Sequence, residues 1–422
     1  MSLLLKSIKI LDPSSPFYNQ IMDIEVVNGQ ITAIEKEISL KKDYKEVKGE
    51  ELCISKGWVD IHAQSGEPFN TSAESLDSFL ESAEKGGFTH VAHFPTSDSP
   101  AESKSDIYFI SNYSSTSPTT ILPIGSIYKA QNPSQLTEML EMKQAGAVGF
   151  TNGNDSSIKP NVLVNALNYA KAFNGKILLH SEKKDLSHNG QVNQGVHSVM
   201  TGYKGIPKEA EYLAVRESIE LAKYCNHEVL LLNITTAESL EAIKEAKKRG
   251  QKIWAAVSSF HLLNDDSCIL DYDTNYKVNP PLRLSSDVKK IRKAIQEGVI
   301  DIVYSQHIPK VVEDKHLEFD LASFGVVNLQ TSFLATLKAL GKEQIDAIIS
   351  SFSERPAQYF GIEMPSVDIH AKGSYTIFDL KQKTNYSESI HASKSKNTPF
   401  FNTTFEGSVL GIISKGTHRL FQ

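Results

Sequence analysis

Cysteine is scarce and scattered. The 422 residues hold three, Cys53, Cys225 and Cys268, an odd number without a CxxC pair, so the pattern is neither a disulfide framework nor a cysteine metal site. They read as reduced, mostly buried thiols of a cytoplasmic protein. Positive charge is not in excess either. Lys and Arg number 44 against 50 Asp and Glu, a net charge of −6, and no basic stretch is interleaved with aromatics, which sets nucleic-acid binding aside. Long apolar runs are missing. No stretch reaches the ~18 residues of a membrane span, and Met1-Ser2-Leu3-Leu4-Leu5-Lys6 is too short for a signal peptide. Internal repeats and low-complexity tracts are absent. The charged segment 41–51 reads as a solvated turn, and Gly86-Gly87 as a turn between helix and strand.

What is present is the composition of an ordinary soluble globular protein, 40% hydrophobic and 22% charged. Residues 1–56 read as short strands. A run over 21–27 meets Asn28-Gly29, a strong hairpin signal, and 30–34 returns. From about Lys56 short apolar runs alternate with amphipathic stretches. Strands are predicted at 58–62, 90–94, 120–127, 147–150, 176–180, 228–233, 252–257 and 301–304, with helices at 73–85, 134–144, 160–173, 208–224, 236–249 and 285–297. Eight strands alternating with helices predict an α/β fold, a (β/α)8 TIM-like barrel. After about residue 365 strands return at 374–379 and 406–414. The expected domains are 1–56 and 365–422, two parts of one small β-sandwich domain formed by both chain ends, around a barrel at 57–364.

In such a barrel chemistry sits where strands meet the following loops. The first strand ends Asp60-Ile61-His62-Ala63-Gln64. A His-x-His pair would place two imidazoles on one face, the beginning of a zinc site. Here the second position is Gln64, and a neutral amide is a poor zinc ligand. Other strand ends carry Thr151-Asn152-Gly153-Asn154, His180-Ser181-Glu182, Asn233 and Ser305-Gln306-His307.

These segments, with Lys277-Val278-Asn279-Pro280-Pro281-Leu282-Arg283 and Ser393-Lys394-Ser395-Lys396-Asn397-Thr398-Pro399-Phe400, resemble the dihydroorotases of the amidohydrolase superfamily over nearly the whole length. The resemblance implies a zinc-dependent cyclic amidohydrolase of pyrimidine biosynthesis, and it also shows what is replaced. His62 and His180 match family metal ligands. Gln64 and Asn233 stand where further ligand histidines belong, Asn152-Gly153 where the metal-bridging acid lies, and Gly66 where an arginine holds the substrate carboxylate. Gln306 takes the place of the catalytic aspartate. Lys310 replaces a histidine and Thr96 a substrate-binding asparagine, while Asn279 matches a substrate contact.

A catalytic zinc site usually needs about three protein ligands and an open position. His62 and His180 fall short and would hold zinc weakly at best, so no cofactor is expected. An amide at the position of either acid does no general-base work. Without a dication, clustered carboxylates would repel, whereas neutral amides hydrogen-bond to one another. The expected substrate pocket comprises Gln64, Thr96, Asn152, Asn233, Asn279, His307 and Lys310, with no catalytic residue intact. Beside these, His307 and His261 read as structural, His90 and His93 as pointing to opposite faces of a strand, His188 and His197 as loop residues after His180, and Asp98 as a solvated loop acid.

Two functions follow. The first is a catalytically silent dihydroorotase-like protein, for which the resemblance implies aspartate transcarbamoylase as the partner and a homodimer as the assembly. The second is an active dihydroorotase or other cyclic amidohydrolase with a rearranged site, carried by His62, His180 and His307, with Lys310 or a metal facing the oxyanion. A ligand-binding role for the amide-lined pocket stands behind both.

Overall fold

The structure, a computed structural model, describes residues 2–96, 99–153 and 158–421. Asp98 and Asn154 lie outside the described residues.

The chain begins with β1 (Ser2–Ile10), β2 (Ile21–Val27), β3 (Gln30–Glu35), β4 (Tyr44–Val47) and β5 (Leu52–Lys56). Asn28 and Gly29 take positive φ (50° and 70°), the backbone that a two-residue hairpin needs, and Val27 pairs with Gln30. The barrel follows: β6 (Trp58–Ala63), β7 (Phe88–His93), β8 (Thr120–Ser126), β9 (Gly149–Thr151), β10 (Ile177–His180), β11 (Val229–Leu232), β12 (Ile253–Ser258) and β13 (Ile302–Tyr304). Neighbours pair in parallel in this order, so the eight expected strands form a nearly closed barrel. It closes at the C-terminal end, where Ala63 bridges to His307 and the Gln64 amide donates to the His307 carbonyl at 2.9 Å. Inside, Val59, Ile61, Phe94, Leu178, Leu230 and Tyr304 belong to one buried cluster, a filled interior rather than a pore.

The chain ends meet, as expected. β14 (Tyr375–Tyr386), β15 (Thr403–Ser414) and β16 (Thr417–Leu420) join the N-terminal strands in one hydrogen-bonded sheet, β16–β15–β14–β5–β1–β2–β3, with β4 also on β1. This sheet has its own apolar core. Trp58 joins the two units. Its ring packs 4.5 Å from Phe333 and 5.3 Å from Phe378 of β14, and its Nε1 donates to Ser55 Oγ. Burying such aromatics contributes about 2–3 kcal/mol each, which keeps the barrel mouth in fixed relation to the sheet.

Local chemistry moved some boundaries. The predicted helix 73–85 starts at Leu76, because the Ser75 hydroxyl caps it through the Ser78 amide. The predicted helix 134–144 keeps only Met139–Gln144, since Asn132 and Leu136 pair with Lys129 and Tyr128. Helix Lys104–Tyr113, capped by Ser103, was not predicted. Among the described residues no helix is long and apolar enough to cross a membrane.

Candidate functional site

At the C-terminal ends of the barrel strands a chain of hydrogen bonds runs through buried polar groups. Asn233 follows β11 with φ 58°, a left-handed backbone that asparagine tolerates better than most residues. Its amide donates to the Tyr304 hydroxyl at 3.1 Å, and that hydroxyl donates in turn to Asn233 Oδ1. This fixes the carboxamide orientation and directs Nδ2 at His180 Nδ1, 2.9 Å away. His180 Nδ1 is therefore the acceptor, and Nε2 carries the proton, donated to Glu182 Oε2 at 3.2 Å. Glu182 also accepts from Asn279 Nδ2 at 3.1 Å, and Lys184 lies 3.3 Å away. Gln306, with φ 55°, closes the chain by donating from Nε2 to the Asn279 carbonyl at 2.8 Å. Burial works to raise the Glu182 carboxyl, but the hydrogen bond from His180 and the charge of Lys184 work the other way and leave it well below the usual range.

The other strand ends are engaged in backbone. Asn152 exchanges two bonds with His180: its Nδ2 donates to the His180 carbonyl at 3.2 Å, and its Oδ1 accepts the His180 amide at 2.8 Å. The ring of His62 stacks on Phe94 at 3.9 Å and lies 5.6 Å from Tyr304. His307 Nδ1 accepts from the amides of Asn328 and Leu329, both at 3.3 Å, and Nε2 faces Glu74 at 3.4 Å. Asp60 accepts from the amides of His62 at 3.0 Å and Ser305 at 2.6 Å, and burial pushes its carboxyl up to about 7.

Beside this chain lies a cavity of about 280 Å³. Of the residues expected in the pocket, Gln64, Thr96, Asn279 and Lys310 line it; Asn152, Asn233 and His307 do not, because their side chains are turned to the bonds just described. His62, His180 and Gln306 are not in its lining either. Ser65, Phe69, Ser99 and Phe324 are among the other residues of the wall. Of the lesser candidates, His93 Nε2 meets Ser65 Oγ at 2.8 Å, His261 Nε2 meets the Pro280 carbonyl at 2.8 Å, His197 stands 3.0 Å from Asp266, and His188 is exposed at a helix end. Glu182, Glu74 and Tyr304 were not singled out as site residues. Glu182 had a readable signal, two positions after His180; Glu74 and Tyr304 had none.

The donor set does not fit a metal. Among the described residues no three His, Cys, Asp or Glu side chains are grouped to hold one. Both ring nitrogens of His180 are committed, one as acceptor and one as donor, and a ligand nitrogen needs a free lone pair.

The relatives agree with the architecture. The chain is 33% identical over 392 residues to a dihydroorotase of Carboxydothermus hydrogenoformans, covering 92% of this chain and 90% of that one. The chain belongs to the dihydroorotase family. A dihydroorotase of Acetivibrio thermocellus is 31% identical over 418 residues, covering 98% of each, and the family described as Dihydro-orotase-like matches residues 52–239. Among solved structures the L-hydantoinase (dihydropyrimidinase) of Arthrobacter aurescens superposes with a TM-score of 0.84 at 20% identity, covering 100% of this chain and 97% of that one. The fold is therefore that of the amidohydrolase barrels. Within it, the Asn152, His180 and Asn233 side chains at the strand ends are tied into hydrogen bonds with one another or with the neighbouring backbone.

Proposed function

We propose that this chain is a catalytically silent, metal-independent member of the dihydroorotase family that serves pyrimidine biosynthesis as a structural partner. The observation that carries the reading is His180: its Nδ1 accepts from Asn233 and its Nε2 donates to Glu182, which leaves no lone pair for a metal. The available bases support it too. Glu182 is held strongly acidic, and Asp60, although raised to about 7, has an oxygen committed to each of two backbone amides and is fully buried away from the cavity. A general base must reach the proton it takes. Lys310 supplies positive charge at the cavity wall.

The partner to test first, from the family resemblance, is aspartate transcarbamoylase. An apolar surface supports a docking role. Val196, Val199 and Met200 are exposed on the short helix Val196–Thr201, which packs on Asp266–Asp271 beside the Tyr203, Tyr272 and Phe319 rings; Val199 is 82% exposed. Clustered apolar exposure of this kind marks interaction sites.

Zinc titration of the metal-free protein by calorimetry tests the reading. No binding at micromolar zinc is expected. A stoichiometric site that disappears in His180→Ala would overturn it and favour an active, rearranged amidohydrolase.

A further inference from the structure

We propose that a second cavity, across Phe69 from the barrel mouth, binds a small organic ammonium with an apolar body. Its volume is about 370 Å³, within the range of small-molecule sites. It shares Phe69 and Ser99 with the mouth cavity and no other lining residue. The two differ in charge. Lys310 is the charged group on the mouth cavity, whereas Glu102 and Asp106 line the second, and neither acid pairs with a Lys, Arg or His among the described residues.

The two acids are not equivalent. Asp106 Oδ2 accepts from the Glu102 and Ser103 amides at 3.0 and 2.9 Å and from the Ser103 hydroxyl at 2.8 Å. It sits in the first turn of the helix Lys104–Tyr113, where the helix dipole answers part of its charge. Glu102 precedes that helix and commits only Oε1, which accepts the Ala130 amide at 2.5 Å. Its Oε2 has no partner among the described residues, so its charge is the one left for a ligand. The walls call for an apolar body. Phe69 and Phe109 are 72% and 46% exposed, and neither ring stacks on another among the described residues. An ammonium over an aromatic face gains an attraction that a neutral group lacks. His93, 4% exposed, also lines the cavity; its Nε2 meets Ser65 Oγ, and its Nδ1 has no partner among the described residues and is available to a ligand. Burial pushes this imidazole down to about 4, so it sets no positive charge against the ligand at neutral pH. The site stands whether or not the barrel is silent.

Isothermal titration of the full chain with phenethylamine, an ammonium on an aromatic frame, and with 2-phenylethanol, its uncharged counterpart, tests this. Phenethylamine is expected to bind about tenfold more tightly than the alcohol. Glu102→Gln keeps an acceptor for the Ala130 amide but removes the charge, and it should abolish most of that preference. Phe109→Ala, on the cavity wall and half-exposed, should weaken both compounds by about fivefold. Equal affinities for amine and alcohol, no heat with phenethylamine up to millimolar concentration, an unchanged preference in Glu102→Gln, or unchanged affinities in Phe109→Ala would overturn the proposal.

Discussion

The hydrogen-bonded chain from Tyr304 to Gln306 and the cavity edged by Gln64 and Lys310 meet at Asn279, and their polar groups are in opposite states. In the chain, the Asn233 and His180 side chains use both donor and acceptor on protein partners, and neighbouring strand ends are tied together. At the cavity, the Gln64 carboxamide and the Lys310 ammonium have no partner among the described residues. A satisfied network rigidifies, and an unsatisfied group awaits a ligand. Two amide side chains thus stand on opposite sides of the contrast, Asn233 inside the network and Gln64 on the cavity wall.

That contrast sets the order of the expected effects. Asn233→Leu removes the acceptor of the Tyr304 hydroxyl proton and the donor to His180 Nδ1 and places a branched side chain at φ 58°, so urea unfolding should show a loss of about 3 kcal/mol or more. A loss under about 1 kcal/mol would break the comparison.

A second effect concerns protons. Burial pushes His93 down to about 4, below an ordinary value of 6.5. As pH falls below 6.5 the unfolded chain takes up that proton and the native state does not, so the folded state loses stability down to about pH 4. His93→Gln does not titrate. The stability advantage of the native chain over this variant should shrink by about 2 kcal/mol between pH 7 and pH 5, at about 1.4 kcal/mol per pH unit. A constant difference would mean that His93 titrates in the fold as it does in the unfolded chain.

Gln64→Leu, in the cavity, removes an unsatisfied amide and should change stability by less than about 1 kcal/mol, the counterpart to Asn233→Leu. Comparable losses for the two would erase the distinction between network and cavity. The smallest stability effect belongs to the surface. The double variant Val199→Asp and Met200→Asp should unfold within about 0.5 kcal/mol of the native chain, yet lose retention on immobilised aspartate transcarbamoylase. Undiminished retention would place the partner elsewhere.

The architecture was legible because it is written in short-range periodicity. Alternating apolar runs marked the eight strands, and Asn28-Gly29 marked the first hairpin. Where a non-local contact decided, legibility failed: Leu136 was taken for helix until its pairing with Tyr128 was in view. The site divides in the same way. Position on a strand end placed Gln64 at the mouth, and the family resemblance added Asn279. It did not show that Asn152 turns back to the His180 backbone, that Glu74 reaches His307 across 233 residues, or that Tyr304, in an apolar strand, orients Asn233. Such partners are chosen by tertiary packing, which residue spacing does not encode.

The most direct test of the central claim is an assay of the purified chain for interconversion of dihydroorotate and carbamoyl-aspartate, with zinc and with chelator. The account predicts no turnover above the uncatalysed rate in either condition. Robust zinc-dependent turnover would contradict it, because His180 would then have to release Asn233 or Glu182 to bind a metal.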